Sequence, residues 1–228
     1  MKKLILISVL LFSFLIGNAQ KFNEMINLNR YQRENAALPA PAKGEKRVVF
    51  IGNSITEGWV RMRPDFFKDN NYVGRGISGQ TSPQLLSRFR EDVINLKPVA
   101  VVINIGTNDI AENSGTYNHD FTLGNIMSMA ELADANGIKV ILSSVTPGRH
   151  YGWRPEITNV PQKIMALNAA IKAYAKKKNF AYIDYFSVLK DENNVMKKGY
   201  GDDGIHPNAV AYKVMEEAAK KVIDNVIK

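Results

Sequence analysis

Arg47-Val48-Val49-Phe50-Ile51 runs directly into Gly52-Asn53-Ser54-Ile55-Thr56-Glu57-Gly58. A short run rich in Val and Ile, with no polar alternation, suits a strand covered on both faces, and the glycine that ends it marks a turn. Similar runs occur at Val99-Ala100-Val101-Val102-Ile103-Asn104-Ile105 and Ile138-Lys139-Val140-Ile141-Leu142, with weaker ones at Tyr72-Val73-Gly74 and Phe180-Ala181-Tyr182-Ile183-Asp184. Helical stripes lie between them. Ser82 as N-cap with Pro83 in the first turn introduces Leu85, Leu86, Phe89, Val93 and Leu96. Further stripes comprise Ile126, Met129 and Ala130 with Leu132 or Ala133, and then Ile164, Leu167, Ile171 and Tyr174. Pro207 is expected to open a last helix that buries Val210, Val214, Ala218, Val222 and Val226. Five strands alternating with helices predict an α/β fold, a parallel sheet between two helical layers with right-handed crossovers. Functional loops then belong at the carboxyl ends of the strands.

The 228 residues, 45% hydrophobic and 23% charged, fit one globular domain. A chain of this length buries about 70% of its unfolded surface, enough for a core without disulfides. The absence of cysteine excludes a thiol nucleophile, a thiolate zinc site and an iron-sulfur cluster. Met1-Lys2-Lys3, the apolar run from Leu4 to Ile16 and Gly17-Asn18-Ala19-Gln20 have the layout of a secretory signal peptide over 1–19, cleaved after Ala19. That run is short for a permanent membrane span, which needs about 20 residues. The expected organisation is the leader, an N-terminal arm over 20–45 and a single domain over 46–228, exported to the periplasm or the exterior. The net charge of +8 becomes about +6 once Lys2 and Lys3 leave. The short runs Lys176-Lys177-Lys178, Lys197-Lys198 and Lys220-Lys221 read as solvated faces, so no nucleic-acid partner is expected.

Polar residues gather at the expected strand ends. Ser54 follows the first strand and leads into a helix, where it either caps that helix or presents its hydroxyl at the sheet edge. With Thr56 in the last place, the segment lacks the Gly-x-Ser-x-Gly elbow. Gly74-Arg75-Gly76-Ile77-Ser78-Gly79 satisfies Gly-x-Gly-x-x-Gly, but it follows the second strand, and Asp92 lies within a helix, so a nicotinamide or flavin site is disfavoured. Gly79 remains a position whose backbone N–H can closely approach a ligand. In Gly106-Thr107-Asn108-Asp109, Asn108 either forms an Asx-turn or donates its amide to an oxyanion. In Asp202-Asp203-Gly204-Ile205-His206-Pro207, Asp203 and His206 form either a polar turn or a carboxylate-oriented general base. His119 and His150 lie in polar loops and read as surface residues.

Taken together, Gly52-Asn53-Ser54, Gly79, Gly106-Thr107-Asn108-Asp109 and Asp203-Gly204-Ile205-His206 resemble, in order, the four blocks of the SGNH hydrolase superfamily, the GDSL esterases. The resemblance covers the chain from Arg47 onward. It implies a flavodoxin-like, five-stranded three-layer sandwich and a serine esterase needing no metal or cofactor. Ser54 would be the nucleophile, His206 its general base and acid, and Asp203 the partner of His206. The Ser54 and Gly79 N–H groups and the Asn108 side chain would form the oxyanion hole. Asn53 departs from the family's usual Asp.

For substrate, Gly148-Arg149-His150-Tyr151-Gly152-Trp153-Arg154-Pro155 follows the fourth strand and concentrates aromatic and cationic side chains. Arg149, Tyr151, Trp153 and Arg154 are therefore candidates for binding a sugar, and a surface turn packed on Trp59 is the alternative. The chain also looks like family members that remove acetyl groups from carbohydrates, so a glycan or small-molecule ester is the expected substrate. A lysophospholipase or thioesterase acting on longer chains is the alternative enzyme. A silent glycan-binding module is a third reading, which the Ser54, Asn108 and Asp203/His206 set disfavours.

Overall fold

A computed structural model of the chain describes residues 23–228, so the expected signal peptide at 1–19 lies outside the described residues. The five apolar runs form strands β1 (Val48–Gly52), β2 (Tyr72–Gly76), β3 (Ala100–Asn104), β4 (Lys139–Ser143) and β5 (Ala181–Ile183). All pair in parallel, in the order β2-β1-β3-β4-β5. This is the flavodoxin-like order, in which the chain reverses its direction of winding between β1 and β3 and leaves a crevice beyond their carboxyl ends.

The lack of alternation has a direct structural cause. Val49, Ile51, Val101, Ile103, Val140 and Leu142 point into one core, and Val48, Phe50, Ala100, Val102 and Ile141 into another. Three helices cover the first core: α4 (Ser82–Asp92), α6 (His119–Ala135) and α7 (Val160–Lys178). The second is covered by α2 (Ser54–Met62), α3 (Pro64–Asp69) and α9 (Ala209–Val226). Within it Trp59 stacks on Phe66 and Tyr212, with ring centroids 5.3 and 5.5 Å apart. Trp59 therefore does not serve as the seat of the loop after β4.

The described part of the expected N-terminal arm, 23–45, is docked and partly helical, with α1 at Gln32–Ala37. Tyr31 donates its hydroxyl to the Gly76 carbonyl, and Asn35 donates to Asp92 at 2.7 Å. Two short helices, α5 (Thr107–Ile110) and α8 (Tyr185–Leu189), follow β3 and β5.

Helix starts differ from the sequence reading. Thr81, not Ser82, caps α4, in a capping box with Gln84. The last helix begins at Ala209, where Asn208 accepts from the Val210 and Ala211 N–H groups at 3.0 and 3.1 Å; Pro207 precedes the cap. The buried face of α9 is Ala211, Tyr212, Met215, Ala219 and Ile223. The expected row from Val210 to Val226 borders it, and Val210 is 57% exposed. The bulk of Tyr212 and Met215 turns the helix by about one residue relative to the valine row.

Candidate active site

β1 ends at Gly52, where a Cβ would run into the Thr56 hydroxyl and the Asn104 carbonyl, so only glycine lets the chain turn this tightly between β3 and α2. The cap of α2 is Asn53, whose Oδ1 accepts from the Ile55 N–H at 3.0 Å. Ser54 is thereby relieved of capping. Asn53 supplies the same acceptor that an Asp would, while its buried Nδ2 has no partner among the described residues. As the first residue of α2, Ser54 also carries one of the backbone N–H groups that a helix start leaves without an intrahelical acceptor.

The Ser54 Oγ lies 2.9 Å from His206 Nε2. The other ring nitrogen, Nδ1, lies 2.6 Å from Asp203 Oδ2. Asp203 Oδ1 accepts from the Ile205 and His206 N–H groups at 2.9 and 2.8 Å, so one carboxylate both shapes the turn and fixes the ring. Partial burial pushes the Asp203 carboxyl up, but hydrogen bonds from the His206 side chain and from the His206 and Ile205 N–H groups, together with the charge of His206, outweigh it and hold the group below the usual range. The dyad is open: the His206 and Asp203 side chains are 40% and 49% exposed.

Two further segments, after β2 and after β3, carry the other expected residues. Gly79 sits at φ +79°, a backbone conformation that favours glycine, and its N–H donates to no protein acceptor among the described residues. Its neighbour Ser78 is tied to α2 by an N–H bond to Glu57 Oε2 at 2.9 Å. Asn108, in α5 and buried, donates one amide N–H to the Gln80 carbonyl at 3.0 Å and keeps a second N–H. The four expected blocks follow β1, β2 and β3 and precede α9, with Ser54, His206 and Asp203 in direct contact and Asn108 bonded to the residue after Gly79.

The loop after β4 divides its expected binding residues. Trp153 is 42% exposed, with its ring centroid 6.1 Å from that of His206. Its indole N–H donates to Asn113 Oδ1 at 3.0 Å, and Asn113 in turn donates to the Gly79 carbonyl at 3.3 Å. Tyr151, expected to bind a sugar, is fully buried behind Trp153, with ring centroids 5.2 Å apart. It supports the tryptophan and cannot itself stack on a ligand. Arg154 is held by Glu156 at 2.6 Å and by the Glu112 carbonyl at 2.9 Å, which braces the loop. Arg149 and His150 are exposed, and His119 pairs with the Tyr117 hydroxyl at 3.2 Å. Among the described residues, no group of three or more His, Asp or Glu side chains could hold a metal ion.

Two buried residues had no role in the sequence reading. Asp109 accepts from the Ser82 N–H at 2.9 Å and its hydroxyl at 2.6 Å, which fixes α4 to α5. Burial pushes its carboxyl up, against the lowering effect of these bonds. Arg88 is fully buried and pairs with Asp92 at 2.7 Å. The available signal was an Arg and an Asp four residues apart, both within the apolar stripe of α4.

A model of the GDSL-like lipase/acylhydrolase family matches residues 50–214. The structure is similar to that of a GDSL-like lipase from Bacteroides thetaiotaomicron, with a TM-score of 0.86 and 58% identity, covering 88% of this chain and 98% of that one. In sequence, the chain is 29% identical to the esterase TesA of Pseudomonas aeruginosa over 183 residues, covering 78% of this chain and 84% of the relative. It is 25% identical over 216 residues to an acetylxylan esterase of Xylanibacter ruminicola, covering 79% of this chain but only 44% of that protein's length.

Proposed function

Because the chain belongs to the GDSL-like lipase/acylhydrolase family, and is thus an esterase-type hydrolase, we propose that it removes short acyl groups, acetyl above all, from carbohydrates through an acyl-enzyme on Ser54. The observation that carries the chemistry is the pair of contacts on His206, one ring nitrogen 2.9 Å from Ser54 Oγ and the other 2.6 Å from Asp203.

In this mechanism Ser54 Oγ attacks the ester carbonyl while its proton passes to His206 Nε2. Asp203 holds the proton on Nδ1 and stabilises the imidazolium. The Ser54 N–H, the Gly79 N–H and the free N–H of Asn108 receive the oxyanion. His206 returns the proton to the departing sugar hydroxyl, leaving the acyl group on Ser54. Water, deprotonated by the same nitrogen, then attacks the acyl carbon, Ser54 recovers its proton, and the carboxylic acid departs.

The carbohydrate assignment rests on the exposed Trp153 face beside His206, on an open dyad that gives access to a bulky alcohol, and on similarity to an acetylxylan esterase. The leader pattern at the N-terminus supports export, where polysaccharides are met.

The test is a p-nitrophenyl ester series from acetate to palmitate, run beside acetate release from acetylated polysaccharides. Highest kcat/KM on acetate together with acetate release from a polysaccharide is expected. Highest kcat/KM on long chains would overturn the reading in favour of a lysophospholipase or thioesterase.

A further inference from the structure

Directly behind the site lies a polar junction that the chemistry above does not use. Gln80 follows Gly79 and is only 3% exposed. Its Nε2 donates to the Ile26 carbonyl of the N-terminal arm at 2.7 Å, its Oε1 accepts from Arg88 Nε at 2.6 Å, and its backbone carbonyl accepts from Asn108 Nδ2 at 3.0 Å. Arg88 extends the junction, donating from Nη2 to both the Gly52 and Arg75 carbonyls at 2.9 Å and from Nη1 to Asp92. The Gln80 side-chain amide and the Arg88 guanidinium therefore join the ends of β1 and β2, the loop carrying Gly79 and the arm, and the Gln80 backbone carbonyl holds the side chain of Asn108.

Burying these groups between a helix and a sheet is unfavourable unless nearly every donor and acceptor is matched, and apolar packing would fill the same space without that cost. A matched network does what apolar packing does not: it fixes directions. The amide of Asn108 illustrates this. With one N–H held by the Gln80 carbonyl, the direction of the other is set. The Gly79 N–H lies in the residue before Gln80, and the Ser54 N–H lies two residues beyond the Gly52 carbonyl held by Arg88.

We propose that Gln80 is a positioning residue that orients the oxyanion donors, chiefly the Asn108 amide, through its hydrogen bonds to Arg88 and Ile26; this rests on the assignment of Asn108 and Gly79 made above. Gln80 touches no substrate, and its effect is expected in kcat, because donors displaced by a fraction of an ångström lose transition-state stabilisation before they lose ground-state binding.

The experiment is a double-mutant cycle on p-nitrophenyl acetate with Gln80→Met, which keeps the side-chain length and removes both polar atoms, in the parent and in Asn108→Ala. In the parent, kcat is expected to fall by about 10- to 100-fold with KM within about threefold. In the Asn108→Ala background the fall should be at least about fivefold smaller, since the group through which Gln80 acts is gone. If Gln80→Met does not fold, Gln80→Glu, which retains an acceptor for Arg88 but not the donor to Ile26, is read by the same criteria. Equal losses in both backgrounds, a loss confined to KM, or kcat within about threefold of the parent would overturn the proposal. Ser54→Ala, measured alongside, separates the two claims. An active Ser54→Ala refutes the nucleophile, whereas an inactive one with an additive cycle refutes only the role of Gln80.

Discussion

Replacing Asp203 with Asn changes few atoms, and the structure dictates how the new amide must sit. Asp203 Oδ1 accepts two backbone N–H groups, from Ile205 and His206, so the amide oxygen has to occupy that position. The NH2 group is then directed at His206 Nδ1, where Oδ2 stood 2.6 Å away. Nδ1 becomes an acceptor, the ring proton moves to Nε2, and that proton points at Ser54 Oγ across the 2.9 Å contact. The imidazole is held in the tautomer that cannot take the serine proton. In a buried triad such a change costs about 10⁴-fold in kcat. Here both side chains are nearly half exposed, water competes for the ring, and the expected loss is about 10²- to 10³-fold, or about 2.7 to 4 kcal/mol. Asp203→Ala leaves water free to accept from Nδ1–H and to serve the two amides, so it should retain about tenfold more activity than the Asn variant. The assay is kcat/KM for p-nitrophenyl acetate, with thermal melts to show that both variants are folded. An Asn variant within about threefold of the parent would refute the reasoning.

Trp153→Ala should lower turnover of an acetylated oligosaccharide at least about tenfold more than turnover of p-nitrophenyl acetate, and equal losses on both would remove the indole from sugar recognition. Tyr151→Phe removes a buried hydroxyl that has no partner among the described residues; unfolding in urea should show a change between zero and about 1 kcal/mol of added stability, and a loss greater than about 1 kcal/mol would contradict the burial argument. Burial raises the Asp109 carboxyl above its ordinary value of 3.8, so the folded protein binds that proton more tightly than the unfolded chain, and stability falls as pH rises from the ordinary value through the raised one. Across that window the parent should therefore gain stability on acidification relative to Asp109→Asn, whereas parallel urea profiles would show that the carboxyl is not raised.

The sheet was legible because its strands are buried on both faces, and Val48 to Ile51 carry no polar residue to confuse the pattern. The end of β1 and the turn before α9 were legible for a different reason. Ser54, Asp203 and His206 are the residue types that acyl transfer needs, each at an expected element end. Details set by tertiary contacts were not. Tyr151 and Trp153 sit two residues apart in one loop, and nothing local tells which ring faces inward. The face of α9 was read from its valines, although Tyr212 and Met215 fill the larger space against Trp59 and the sheet. The cap of α4 fell one residue from the expected position, on Thr81 in place of Ser82, whose N–H and hydroxyl are engaged by Asp109 of α5. Arg88 and Gln80 were hidden by the general rule that Arg and Gln belong outside, which here gives way to a network that meets nearly all their polar atoms.

The central claim is that Ser54 forms the covalent intermediate, and trapping with a fluorophosphonate tests it most directly. The serine oxygen would displace fluoride and form a stable phosphonyl ester, read by intact mass and then by peptide mapping. The account predicts a single adduct on the peptide containing Ser54, loss of esterase activity in step with its formation, and no adduct on Ser54→Ala. A label on another residue that tracks the loss of activity, or full activity in Ser54→Ala, would contradict it.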